Sequence, residues 1–189
     1  MPPSLAIIYF SATEHTAQLA DAIRRAAADH VEVREHRIAG AEIVSGRFRK
    51  AAALELVDTA SGVIFGSPTF MGGPAAEFKA FADATSDRWT EQRWKDKVAA
   101  GFTSGTCPNG DQSHTLTYFT VLAAQHGMIW CNLDIPGGED PSGRNRLGTQ
   151  VGVASQTTSE PVSASDLLTA GHLGRRVALL VTKLARANA

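Results

Sequence analysis

Apolar residues in this chain come in short blocks separated by amphipathic stretches. The first block, Leu5-Ala6-Ile7-Ile8-Tyr9-Phe10, is continuous and partly β-branched, the pattern of a strand covered on both faces of a parallel sheet. Past Ser11 to Thr16 the period changes. Leu19, Ala20, Ile23, Ala26 and Ala27 recur at helical spacing and predict a helix. Val31-Glu32-Val33-Arg34 alternates as a second strand, and Ala51 to Ala60 predicts a short helix carrying Leu54 and Val57. Gly62 to Gly66 reads as the third strand, stopped by Ser67-Pro68. The next helix is expected from Pro74, a favoured first-turn residue, and buries Phe78 and Phe81. Val98 to Phe102 is the fourth strand. A helix then runs from Ser113 to His126 and ends at Gly127, suited to a left-handed C′ position. Met128 to Leu133 is the fifth strand. From Pro136 to Pro161 Gly, Ser, Thr, Asn and Pro dominate, which predicts a long surface excursion before a last helix over Ala164 to Ala187.

Strands alternating with helices predict βαβ units and an α/β fold. Five such strands fit a doubly wound parallel sheet of order 2-1-3-4-5 with helices on both faces. In that arrangement ligands bind beyond the strand C-termini, at the switch point. The chain of 189 residues reads as a single domain, 1–189, without internal repeats.

Composition narrows the functions. A net charge of −1 and a pI near 6.6 offer no basic surface for nucleic acid. Mean hydropathy of −0.10 and the lack of a long apolar run argue against a membrane span. Cys107 and Cys131 are the only cysteines, with no metal-ligand spacing, so neither a disulfide framework nor a metal site is expected, and the cytoplasm is the default compartment.

Three loops at strand ends carry the candidate chemistry. Ser11-Ala12-Thr13-Glu14-His15-Thr16 places hydroxyls at a helix start, where free N–H groups and the helix dipole attract an anion. Ser11, Thr13 and Thr16 offer hydroxyl donors to a phosphate; the same residues also read as an ordinary N-cap. Ser67-Pro68-Thr69-Phe70-Met71-Gly72-Gly73 sets an aromatic and a thioether between a proline and two glycines. That arrangement suits a flat apolar ligand, or simple packing beneath a helix. The third loop, Thr103-Ser104-Gly105-Thr106-Cys107-Pro108-Asn109-Gly110-Asp111, is small and polar, with backbone donors for the polar edge of a ring.

Together with Gly101-Phe102-Thr103-Ser104 and Gln125-His126-Gly127-Met128, these loops resemble the flavodoxin-like NAD(P)H:quinone oxidoreductases and FMN reductases of WrbA type, over most of the chain. The resemblance implies a flavodoxin-like fold with flavin mononucleotide (FMN) as cofactor. Its phosphate would lie in the loop of Ser11, Thr13, Glu14, His15 and Thr16. Its ring would lie against Pro68, Thr69, Phe70, Met71 and Gly72 and against Thr103, Ser104, Gly105, Thr106, Asn109 and Gly110. It implies Trp89, Gln125 and His126 near the substrate, and a homodimer or homotetramer in which neighbouring subunits complete the site. The family carries Gly where this chain has Glu14, so contact there is expected through backbone N–H with the side chain turned to water. The family's flavin-proximal histidine aligns with Gln125, one position before His126. Trp89 and Trp94 also read as packing or interface residues, and His114 and His172 as solvent-facing helix residues.

The function expected is enzymatic: two electrons pass from NAD(P)H, a transient co-substrate, to a small quinone-like acceptor. The flavin carries the chemistry and no side chain acts as catalyst. No G-x-G-x-x-G follows a strand, which leaves the nicotinamide without a dinucleotide fingerprint of its own. Two alternatives stand beside this reading: an electron-carrier flavodoxin without NAD(P)H oxidase activity, and a flavodoxin-like fold that has lost FMN. Carriers are typically strongly acidic, which this chain is not. A phospho-receiver domain is excluded, because Ser67-Pro68 stands where it needs an aspartate.

Overall fold

The structure, a computed structural model, describes residues 2–157 and 161–187. Along the chain run β1 (Ser4–Tyr9), α1 (His15–Ala28), β2 (Glu32–Arg37), a 3-10 turn (Gly40–Glu42), β3 (Ile43–Val44), β4 (Arg47–Phe48), α2 (Ala51–Thr59) and β5 (Gly62–Phe70). There follow β6 (Gly73–Pro74), α3 (Ala76–Asp83), α4 (Ser86–Thr90), β7 (Val98–Gly105), α5 (Asp111–Gln125), β8 (Ile129–Trp130), β9 (Val153–Gln156) and α6 (Ala164–Ala187).

The main sheet has the order β2-β1-β5-β7-β8 with these neighbours parallel, which is the expected doubly wound order. Side chains alternate across β1, so each face meets its own core. Leu5, Ile7 and Tyr9 pack with Leu19 and Ile23 of α1 and Leu173, Val177 and Val181 of α6. Ala6 and Ile8 face the other core, with Leu54, Phe65, Phe78, Phe81, Trp94 and Phe119. Helices α1 and α6 approach closely because position 174 is glycine: a Cβ there would lie 2.4 Å from the Ile23 carbonyl oxygen.

Several elements depart from the sequence reading. β5 runs through Ser67-Pro68 to Phe70 instead of stopping at Gly66. The Gly66 carbonyl accepts from Phe10 N–H on the β1 side. Pro68, two residues on, turns its nitrogen to that same side, where β1 has ended and no donor is required. Pro74 lies in β6, paired antiparallel with Thr69, so α3 starts at Ala76. β7 extends to Gly105 and takes in the first residues of the third loop.

The fifth strand is shorter than expected and is split. β8 pairs with the start of β7, and β9 pairs with its end from Phe102↔Val153 to Gly105↔Gln156. The 136–161 stretch is therefore a surface excursion only in part. Its buried Val153, Ala154 and Ser155 return to the sheet, and residues 158–160 of that stretch lie outside the described residues. Gly127 has φ +68°, as its place after α5 predicts.

Candidate functional site

The first loop closes at the C-terminal end of β1. Ser11 is buried and its Oγ accepts the N–H of Ala17 at 3.2 Å, within the first turn of α1. Thr13 is exposed, with its Oγ1 3.1 Å from His15 Nδ1. Thr16 is buried, and its hydroxyl lies 2.8 Å from that of Ser104, tying this loop to β7. Glu14 immediately precedes α1 with φ +61°, a left-handed conformation that favours glycine. Its carboxylate makes no capping bond. It is turned instead to Arg37, whose Nη2 and Nη1 donate to its two oxygens at 2.5 and 3.0 Å.

The second loop is a tight hairpin between β5 and β6. Both central residues, Met71 and Gly72, have positive φ, +48° and +79°, the backbone of a type I′ turn. Phe70 is 51% exposed and Met71 fully exposed. Beneath them runs a directed chain of hydroxyls. Thr103 Oγ1 donates to the Ser67 carbonyl at 2.7 Å. It therefore accepts from Thr69 at 2.8 Å, which in turn accepts from Thr115 at 2.8 Å. His114 is not simply solvent-facing, because its Nδ1 donates to the Gly72 carbonyl at 2.5 Å and pins the turn to α5.

In the third loop Asn109 accepts from Gly110 N–H at 2.7 Å and from Ser113 Oγ at 2.8 Å, and it donates to Leu147 O at 2.6 Å. Gln112 is 1% exposed. Its Nε2 donates to the Cys107 carbonyl, while its Oε1 is buried without a partner among the described residues. Gly105 makes room for this amide, since a Cβ there would lie 2.9 Å from Gln112 Nε2. Between the second and third loops opens a cavity of about 400 Å³, lined by Thr69, Met71, Gly72, Gly105, Thr106 and Gln112 among others. Cys107 stands exposed at its rim.

These groups fit the FMN that the resemblance implies. Hydroxyls and a helix start on the first loop suit a phosphate. Exposed apolar side chains beside a polar-lined cavity and an unmatched buried acceptor suit a flat ring with a polar edge. Among the described residues no cluster of His, Cys, Asp or Glu suits a metal ion.

The expected substrate residues lie elsewhere. Trp89, Gln125 and His126 do come together, around a hollow of about 200 Å³. However, β8 just beyond them pairs with Val98, the first residue of β7. The hollow is thus at the strand N-termini, a full α5 length of roughly 20 Å from the loops. Trp89 and Gln125 are exposed. His126 is 1% exposed, at the floor of that hollow. Its ring stacks on Trp94 with centroids 4.5 Å apart. The Thr85 hydroxyl donates to the Ala82 carbonyl and so accepts from His126 Nε2. Burial pushes the His126 imidazole down to about 4. His172 is likewise engaged: its Nδ1 accepts from Arg144 at 3.0 Å and its Nε2 donates to Asp134 at 2.6 Å.

Sequence reasoning missed Gln112, Thr115 and Arg37. The signal for Arg37 lies in the sheet order: β2 neighbours β1 with Arg37 beside Tyr9, so the last residue of β2 borders the loop after β1.

A family model for NADPH-dependent FMN reductases matches residues 5–133. The chain is 36% identical to flavodoxin FldP of Pseudomonas aeruginosa over 186 residues, covering 94% of this chain and 96% of that protein. It is 37% identical to an NAD(P)H dehydrogenase (quinone) of Archaeoglobus fulgidus, covering 72% of this chain and 67% of the relative. Among solved structures, a flavodoxin, WrbA-like protein from Agrobacterium tumefaciens superposes with a TM-score of 0.76 at 34% identity, covering 96% of this chain and 98% of that one.

Proposed function

Because the chain belongs to the NADPH-dependent FMN reductase family, an oxidoreductase family with FMN as its cofactor, we propose that it transfers two electrons from NAD(P)H to a quinone-like small molecule by a ping-pong scheme. FMN, when bound, supplies the chemistry of accepting a hydride from the nicotinamide and passing the electrons on. The protein's own groups bind and orient. Ser11, Thr13, His15 and the first turn of α1 hold the phosphate, with Thr16 fixing that loop to Ser104. Pro68, Thr69, Phe70, Met71 and Gly72 take one side of the ring. Gly105, Thr106, Asn109 and Gly110 take its polar edge, where backbone N–H groups of the loop stabilise negative charge. Thr103 and Ser104, expected there too, are buried in β7 beneath it. Cytoplasmic work is part of the proposal; no helix among the described residues is long and apolar enough to cross a membrane.

The observation that carries this reading is the cavity between the second and third loops, with exposed Phe70 and Met71 beside it. One opening over one ring leaves nicotinamide and acceptor to take turns. A homodimer or homotetramer belongs to the same proposal. Trp89 and Gln125 can meet a flavin only in a second copy, and Trp89, Val121 and Ile129 are large apolar side chains left exposed. Initial rates measured over a grid of NAD(P)H and benzoquinone concentrations should give parallel double-reciprocal lines. Intersecting lines would require both substrates bound at once.

The relative named a flavodoxin favours a second reading, an electron carrier. It separates cleanly from the first: a carrier oxidises no NAD(P)H without a protein reductase.

A further inference from the structure

We propose that Arg37 is a positioning residue for flavin phosphate binding, holding the Glu14 carboxylate away from the anion site and bracing the loop around it. This inference rests on the flavin reading of the site. Glu14 occupies a left-handed position inside a phosphate-binding loop, where a free carboxylate would repel a phosphate dianion. Its carboxylate makes no capping bond to α1.

Arg37 provides the missing account. Its Nη2 donates both to the Ser11 carbonyl at 2.8 Å and to Glu14 Oε1 at 2.5 Å, and its Nη1 donates to Glu14 Oε2 at 3.0 Å. One guanidinium therefore bridges the start of the loop and its fourth residue. A planar fork with several donors can do this, and a lysine ammonium cannot match the geometry. The pairing holds the Glu14 carboxyl below its ordinary range and raises the arginine. Both side chains are substantially exposed, and an exposed pair contributes little to folding. Its consequence lies in the loop: the carboxylate is neutralised and aimed toward β2, and the Ser11–Glu14 span is held at fixed width.

Apoprotein of the full chain, titrated with FMN and with riboflavin by fluorescence, tests the idea. Arg37→Ala should weaken FMN binding about tenfold. Riboflavin, which lacks the phosphate, should lose less than about threefold, and added salt should shrink the FMN loss. In a Glu14→Gly background the same Arg37→Ala change should cost FMN less than about threefold, because no carboxylate remains to be held. Circular dichroism checks folding, and Arg37→Gln replaces Arg37→Ala if the alanine variant does not fold. Equal losses in both backgrounds, equal losses for both flavins, or no loss would each overturn the inference while FMN still binds the wild-type chain. A wild-type chain that binds no FMN overturns the flavin reading, and this inference with it.

Discussion

At the end of the sheet where the strands finish, Thr115, Thr69 and Thr103 pass hydroxyl bonds beside a cavity of about 400 Å³, and Phe70 and Met71 stand in solvent. At the end where the strands begin, polar groups turn inward to one another. Lys97 donates to the carbonyls of Val57, Asp58 and Ala60, which close α2. Asp58 accepts from Trp94 Nε1 at 2.7 Å and pairs with Arg88. His126 lies between Trp94 and Thr85. Both ends are rich in polar and aromatic residues, so residue type alone does not distinguish site from scaffold. What separates them is destination. Lys97, Asp58 and Trp94 at the N-terminal end bond to one another's elements within the fold, His126 Nδ1 being the buried exception. The C-terminal end instead frames the larger of the two openings, beside exposed Phe70 and Met71.

The comparison is broken most forcefully at Trp94, which is fully buried. Trp94→Ala opens a large cavity in the core and should destabilise the chain by about 3–5 kcal/mol in urea unfolding. FMN affinity, measured where the variant is folded, should stay unchanged. A selective loss of flavin binding would mean that the two ends are coupled.

A smaller effect comes from His126. Its ordinary value is 6.5, and burial holds it at about 4 in the folded chain. Between those values the unfolded chain takes up the proton and the folded chain does not, so stability falls as pH falls through this window. The share due to His126 is whole above about 6.5 and is lost progressively down to about 4. Going from neutrality to pH of about 5 should remove roughly 2 kcal/mol. His126→Phe keeps the ring against Trp94 and should flatten that part of the stability profile. An equally steep profile in the variant would show that other groups carry the slope.

The main strands, the longer helices and the three loops were legible because each rests on local pattern: strand blocks, helical spacing, and polar or glycine-rich breaks. The sheet order came from the fold class those elements fit, and the short α4 was not read. The split fifth strand was not, since Val153 to Gln156 is short and sits in a stretch rich in turn residues. Only pairing with the end of β7 makes it a strand. Trp89, Gln125 and His126 lie together, but at the strand N-termini. The parallel βαβ connectivity already implies that end for residues just before β8, and the family resemblance had been followed instead. His126 was placed near the substrate by the family resemblance, one position after the aligned histidine, whereas its burial is a tertiary fact that the resemblance does not carry. Arg37 was overlooked because its partner Glu14 lies 23 residues away, joined to it only through β1–β2 pairing.

The smallest effect sharpens the comparison most finely. Met71 and Asp96 both hold positive φ, +48° and +64°, and both are exposed, one at each end of the sheet. Glycine relieves left-handed strain of this kind by about 0.5–1 kcal/mol, with the larger gain at methionine because aspartate tolerates the conformation better. Asp96→Gly should therefore raise unfolding stability slightly and leave FMN affinity where it was. Met71→Gly should also raise stability, yet weaken FMN binding severalfold, since it removes the thioether beside the ring cavity. Strain retained at a binding turn would thus be exchanged for contact with the ligand, whereas strain at the far end serves no ligand. Urea unfolding and flavin titration on the two variants give both readouts. If Met71→Gly binds FMN as well as the wild type, the thioether makes no contact with the ring, and the exposed turn needs another explanation.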